Sequence, residues 1–254
     1  MNSELGSILI NTVLWGILCI FIEKKIKGES KDDHDIKNRI VSIVHGMITF
    51  TLAFHYILSS PEGFCAKNNE RERSIIRVSV SYFIYDFIAC LYYGIYDQNL
   101  VIHHTSAITG FLIASFSDHG AKISILGLMI AESSNFPMHV RIILRMKGLR
   151  YTRLFTFFES AYLLIYLVFR GLLCPLNIWY SLTCRKTPIM VTIMCLVLSL
   201  QSYYFISQMF GIIHRKIVEM KIRRKNGIHM FWFSHNPALD SLPYVKKDVV
   251  DKIF

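Results

Sequence analysis

The sequence predicts an all-α, polytopic membrane helical bundle with about seven transmembrane helices. Three observations carry this. The 254-residue chain is 53% hydrophobic and only 18% charged, its mean hydropathy is +0.39, and its apolar residues gather into runs separated by short polar or basic connections. A hydrocarbon layer about 30 Å thick needs ~20 mainly apolar residues per helix, and several runs reach that length.

The first run, Leu5 to Ile22, has no basic region ahead of it and no small-residue cleavage site, so it reads as a retained span rather than a signal peptide. It also lacks the Arg- and Ser-rich character of a transit peptide. The following runs are Ile40 to Leu58, Ser74 to Tyr96, Gln98 to Ser117, Ala121 to His139, Thr152 to Leu173 and Ile189 to Ile212. "YDQNL" and "SDHGA" are the short links on either side of the fourth run, so its neighbours must pack antiparallel against it. Pro137 removes a backbone donor and predicts a kink that releases the Ser133 carbonyl beside Glu132.

Charge orients the bundle. "EKKIKGESKDDHDIKNR", "RIILRMKGLR" and "HRKIVEMKIRRK" hold most of the Lys and Arg, and threading seven spans puts all three on one side, as the positive-inside rule expects. The loops carrying Cys65, Cys174 and Cys184 fall on the other side, where a Cys174–Cys184 bridge is one conceivable pairing. The net charge of +10 comes with no nucleic-acid fingerprint, so nucleic acid is excluded as a partner. The chain divides into 1–37 (first span and basic loop), 38–213 (six-helix bundle) and 214–254 (basic and aromatic tail). The basic stretch His214 to Lys225 continues the last helix toward anionic headgroups, and "HMFWFSHNPALDSLPYV" shows no clear helical period.

Ionisable residues inside spans are costly and mark sites or pathways. At about 1.5 Å rise per residue, His45, His103, His104 and Glu159 lie roughly 8–10 Å in from the basic side, with Glu132, Asn135 and Asp86 in the same half of the bilayer. Tyr82, Asp86 and Tyr93 share one helical stripe and Glu132, Asn135 and His139 another. A tyrosine can donate to Asp86 and an imidazole to Glu132. His103 and His104 point about 100° apart, so one ring can face a cavity while the other bonds inside the bundle. Arg170, near the far end of the sixth span, is expected to snorkel or meet a lipid phosphate. Packing clusters of hydrogen-bonded polar groups are the alternative for all of these residues. No Glu-x-x-His pair lies in any span and no CxxC occurs, so no metal is expected.

"NRIVSIVHGMIT", "SYFIYDFI", "LVIHHTSAITGFLIASF", "AESSNFP" and "YLLIYLVFRGLLCP", in that order from about Asn38 to Gly211, resemble the TLC-domain family of multispan membrane proteins, which includes ceramide synthases. The resemblance implies a six-helix lipid-handling bundle after an additional N-terminal helix, in the endoplasmic reticulum; a mitochondrial inner membrane stays open. In ceramide synthases a histidine pair and two downstream aspartates are associated with acyl transfer to a sphingoid amine. The pair maps onto His103 and His104, while the acidic positions are Glu132 and Asn135, and an amide cannot serve as a base. The chain thus resembles the branch not established as ceramide synthases.

Three readings follow. The leading one is a membrane protein that binds or handles membrane lipid without cofactor, with His45, Tyr82, Asp86, Asn135, Glu159 and Arg170 as lipid-contacting residues. A second is an accessory subunit of a larger membrane assembly, docked through the tail. The third is N-acyl transfer from acyl-CoA, with His103 or His104 as base and Glu132 as orienter.

Overall fold

The computed structural model describes residues 2–247. Among these there is no β-strand, and the helices are α1 (Asn2–Lys25), α2 (Lys31–Ser59), α3 (Glu70–Tyr92), α4 (Gln98–Phe116), α5 (Ala121–Glu132), α6 (Asn135–Met146), α7 (Arg153–Tyr166), α8 (Cys174–Thr183), α9 (Ile189–Lys225) and α10 (Pro243–Lys247). A π-helical stretch, Leu167–Leu173, joins α7 to α8 into one rod, and a 3-10 turn, Pro237–Ser241, precedes α10. Five segments are long and apolar enough to cross a membrane by themselves: Glu4–Lys25, Lys31–Ser59, Glu70–Tyr92, Arg153–Thr183 and Ile189–Lys225. Together with α4 and the α5–α6 pair they form the all-α bundle of about seven rods.

Four helix starts are capped by side chains. Ser30 and Asn69 form capping boxes with Asp33 and Glu72, and Asp97 and Thr152 cap α4 and α7 through their side chains. These acceptors satisfy first-turn N–H groups that hydrocarbon would leave unpaired. The outer surface is apolar: Leu9, Ile10, Val13, Ile17 and Phe21 of α1 are all more than half exposed, which suits a lipid-facing rod.

The centre is α5, packed against α2, α3, α4 and α8, with Ile123, Ile125 and Leu128 enclosed. Apolar burial supplies little drive between helices already in lipid, so close approach through small residues matters most. Gly46 faces Glu132, Gly110 faces Met194 and Gly127 faces Asn177, each close enough that a Cβ would press on its neighbour.

The two ends of the bundle are distinct. At one end the α2–α3 and α8–α9 loops are joined by the disulfide Cys65–Cys184, across 119 residues, and Asn68 donates to the carbonyls of Ala114 and Ser117. At the other end His34 stacks on Tyr93, Lys147 pairs with Asp33, and the tail packs on the start of α7. The three basic segments all lie at this second end.

Three expectations need correction. Cys174 does not pair with Cys184; it is a free, buried residue inside the continuous α7–α8 rod, and the cystine partner is Cys65. The fifth span is not unbroken to His139: it ends at Glu132, and after Ser133 and Ser134 a new helix starts with Pro137 in its first turn, where a missing N–H costs least. The last helix, by contrast, continues through the basic stretch as expected and runs to Lys225, about 55 Å at 1.5 Å per residue, and so outreaches the hydrocarbon. Arg170 does not snorkel; its Nη2 donates to Ala131 O at 2.8 Å and its Nη1 to Ser202 Oγ at 3.2 Å.

The disulfide gives a direct check. Non-reducing electrophoresis of the full chain should show a compact band that slows on reduction; Cys65→Ser and Cys184→Ser should each abolish the shift, and Cys174→Ser should leave it. Loss of the shift in Cys174→Ser alone would contradict the pairing.

Candidate functional site

The polar residues of α2 stand at i, i+4, i+7 and i+11, namely Asn38, Ser42, His45 and Thr49, and all four are buried. Opposite them α3 presents Tyr82, Tyr85 and Asp86, and α4 presents His104. Asp86 accepts from Asn38 Nδ2 at 2.6 Å and lies 2.7 Å from His104 Nε2. Tyr85 donates to Asn38 Oδ1 at 2.9 Å and Tyr82 to Ser42 Oγ at 2.8 Å. The tyrosines therefore brace α2 and do not donate to Asp86, a correction to the stripe-based expectation.

His104 Nδ1 lies 3.0 Å from Leu100 O, so both of its ring nitrogens face oxygens. A carbonyl only accepts, so Nδ1 must carry a proton. The Nε2–Asp86 contact is then made by an imidazolium with a carboxylate, or by a neutral ring with a carboxylic acid. Either way His104 is tethered at both nitrogens.

His103 is partly exposed and turns its ring toward Phe83 and the cavity. Glu132 is buried, with Oε2 accepting from Asn135 Nδ2 at 2.7 Å. His45 stacks on Tyr82 with 3.7 Å between ring centroids, and its Nδ1 is 3.9 Å from Glu132 Oε2, too far for a hydrogen bond. The expected imidazole donor to Glu132 is thus replaced by the Asn135 amide. His45 Nε2 has no hydrogen-bond partner among the described residues.

The helix break and the arginine explain each other. Ending α5 at Glu132 frees the Ala131 carbonyl at membrane depth, where an unpaired carbonyl is expensive. Arg170 supplies the donor from within the π-helical stretch, with its guanidinium 4.8 Å from the Tyr166 ring centroid. π-Helical stretches recur at functional sites because one added residue re-aims a side chain inward.

These groups line a cavity of about 430 Å³. Tyr82, Asp86, His103, His104, Glu132, Asn135 and Arg170 all contribute to its wall; His45 lies behind Tyr82, and Glu159 lies outside, in an adjoining cleft. Glu159 is held by Lys216 at 2.6 Å and Arg141 at 3.6 Å. A smaller apolar chamber of about 70 Å³, walled by Phe111, Leu128, Val191, Met194 and Leu198 among others, shares Phe83, His103 and Arg170 with the cavity. Asn38, Tyr85, Arg39, Arg141 and Gln201 were not singled out from the sequence. The α2 polar stripe at helical spacing is the signal that would have found Asn38.

No group of three or more His, Cys, Asp or Glu among the described residues could hold a metal ion.

The model of the TLC domain matches residues 35–235. The chain belongs to the TLC-domain family. This TLC-domain protein is 28% identical over 138 residues to TLC domain-containing protein 2 of Danio rerio, covering 52% of this chain and 56% of that protein. It is 29% identical over 92 residues to a TLC domain-containing protein of Arabidopsis thaliana, covering 36% of each. The matches therefore span about half of the first relative and about a third of the second. Both are named for the domain rather than for ceramide synthesis. No solved structure gives a significant match.

Proposed function

We propose that this multi-pass membrane protein binds a membrane lipid, with the polar headgroup on the His103–Glu132–Arg170 wall and acyl carbons in the apolar chamber. The observation that carries this is that a 430 Å³ cavity, on which several polar side chains converge within a largely apolar lining, shares His103 and Arg170 with an apolar chamber beside it. Ligand sites of about 300–1,000 Å³ with few convergent polar groups suit one small molecule or headgroup. The test is photolabelling of the full chain in nanodiscs by a diazirine-tagged lipid. Adducts are expected on Met194 and neighbouring chamber residues, and Leu198→Trp, which fills the chamber, should cut them about fivefold or more, as a lost methylene-sized space is worth ~1 kcal/mol or more. Absence of chamber adducts in the wild type would overturn the proposal.

A second reading rests on the imidazole that remains accessible. His104 is tied to Asp86 and Leu100 O, which leaves His103 as the ring able to take a proton from a long-chain amine as its nitrogen attacks an acyl-CoA thioester carbonyl; the C–S bond then breaks and the departing CoA thiolate takes that proton back as the free thiol. Asn135, bonded to Glu132, contributes no second carboxylate. The same nanodisc preparation given acyl-CoA and a long-chain amine decides it: amide formed by the wild type and lost in His103→Ala supports transfer, and no amide leaves lipid binding alone. The tail counts less for a docking arm, because it folds back: Phe231 O and Trp232 O accept from the N–H groups of Arg153 and Leu154, and Met230, Leu239 and Leu242 form a small core with Tyr151 and Ile222. Residues 248–254 of that tail lie outside the described residues.

A further inference from the structure

We propose that Phe231, Trp232 and Phe233 form an interfacial anchor, seated in the headgroup–acyl boundary of the membrane at the basic end of the bundle. Phe231 and Trp232 are half exposed and Phe233 is 73% exposed. The neighbouring apolar residues Met230, Leu239 and Leu242 are instead enclosed in the small core of the tail. Three consecutive large aromatics thus stay outside a fold that buries the apolar residues around them.

Their depth is set by the main chain. The carbonyl of Phe231 accepts from the Arg153 N–H at 2.9 Å, and that of Trp232 from the Leu154 N–H at 3.3 Å. These are the first two N–H groups of α7, which no helical carbonyl can reach. Arg153–Thr183 is one of the segments long and apolar enough to cross a membrane, so its first residues stand where hydrocarbon gives way to headgroups. The path of the chain agrees. Lys216 of α9 pairs with Glu159 of α7, and α9 then runs on to Lys225, about 13 Å further at 1.5 Å per residue. The chain turns at Gly227, whose φ is +64°, and comes back to the level of Arg153 before it presents its aromatics.

The chemistry fits that layer. Aromatic rings, Trp above all, gather at membrane interfaces, where an apolar ring body and a polar edge are both accommodated. The Arg153 guanidinium lies 5.9 Å from the Trp232 ring centroid, and an arginine buries its stem while its charge stays among headgroups. The Trp232 and Phe233 ring centroids are 6.3 Å apart, which makes one continuous apolar edge. None of the three residues lines the cavity or the chamber, so the anchor stands apart from the lipid reading of that site.

The test is tryptophan fluorescence of the full chain in phosphatidylcholine nanodiscs. Subtracting the emission of Trp232→Phe from that of the wild type separates Trp232 from Trp15 and Trp179. Lipids brominated near the top of the acyl chains are expected to quench this component about twofold more strongly than lipids brominated at the chain ends, because interfacial groups sit only ~5–10 Å into the boundary. Equal or stronger quenching by chain-end bromine overturns the interfacial depth. No quenching by either lipid overturns the anchor altogether; aqueous acrylamide then tells a ring in water, which it quenches, from one covered by a protein partner, which it does not. Should Trp232→Phe fail to fold, photolabelling of the wild type decides. A diazirine placed beside the lipid glycerol must give adducts within residues 231–233, and their absence overturns the proposal.

Discussion

Asp86→Ala is expected to be the most destabilising single substitution in the polar layer, lowering stability by about 3–5 kcal/mol. The reason lies in what is left behind rather than in what is removed. Asp86 accepts from Asn38 Nδ2 and shares a hydrogen bond with His104 Nε2, and all three residues are buried. Deleting the carboxylate takes away the side-chain partner of both Asn38 Nδ2 and His104 Nε2 inside the bundle. An ordinary interhelical hydrogen bond in a membrane is worth only about 0.6–2 kcal/mol, because separated helices find other partners in lipid. That figure applies to neutral pairs. An uncompensated imidazolium or carboxylate in the interior is another matter, and this contact involves both unless the shared proton rests on Asp86. His104→Ala should be costly too, while the double variant Asp86→Ala/His104→Ala should cost clearly less than the sum, since neither partner then lacks the other. Unfolding of the full chain in mixed detergent micelles measures all three. A cost below about 1 kcal/mol for Asp86→Ala, with additive double-variant behaviour, would show that the pair does not hold α3 to α4.

The bundle was legible because hydrocarbon imposes simple rules. Run length gave the spans, and loop charge grouped the basic segments at one end, where the structure also puts them. The depth argument for the polar residues used only helical rise. It fails at Arg170 because snorkelling assumes a helix with all its carbonyls satisfied, and the α5–α6 break supplies the Ala131 carbonyl that turns the guanidinium inward. Only the packed bundle brings those two segments together. The cystine is illegible for a related reason: proximity in sequence favours Cys174 with Cys184, while the rod from α7 to α8 carries Cys174 into the bundle and a partner 119 residues away takes its place. Asn38 was overlooked because it adjoins charged residues and reads as part of a loop, although its spacing to Ser42 and His45 already marks a helix face. Glu159 shows that a shared depth does not mean a shared chamber, since its carboxylate pairs with Lys216 of α9.

Gly46→Ala is the second substitution with a large expected effect, and it tests whether Glu132 is held or free. A Cβ at Gly46 would stand 2.9 Å from Glu132 Oε2, inside the closest approach that side chains tolerate. A glutamate on a surface would swing aside at little cost. Here Oε2 accepts from Asn135 at 2.7 Å, and the residue is buried at the end of α5. The methyl must therefore break that hydrogen bond or push α2 from α5, the rod at the centre of the bundle. Overpacking of this kind costs about 1–3 kcal/mol. Gly46→Ala should lose at least about 1 kcal/mol in the detergent unfolding measurement. Coupling it with Glu132→Gln should show little relief, because the amide fills the same volume, whereas Glu132→Ala should recover much of the loss by making room. If Gly46→Ala is neutral, Glu132 has freedom to move within the cavity wall. In that case the close approach of α2 to α5 at Gly46 is not what fixes the carboxylate against the lipid site.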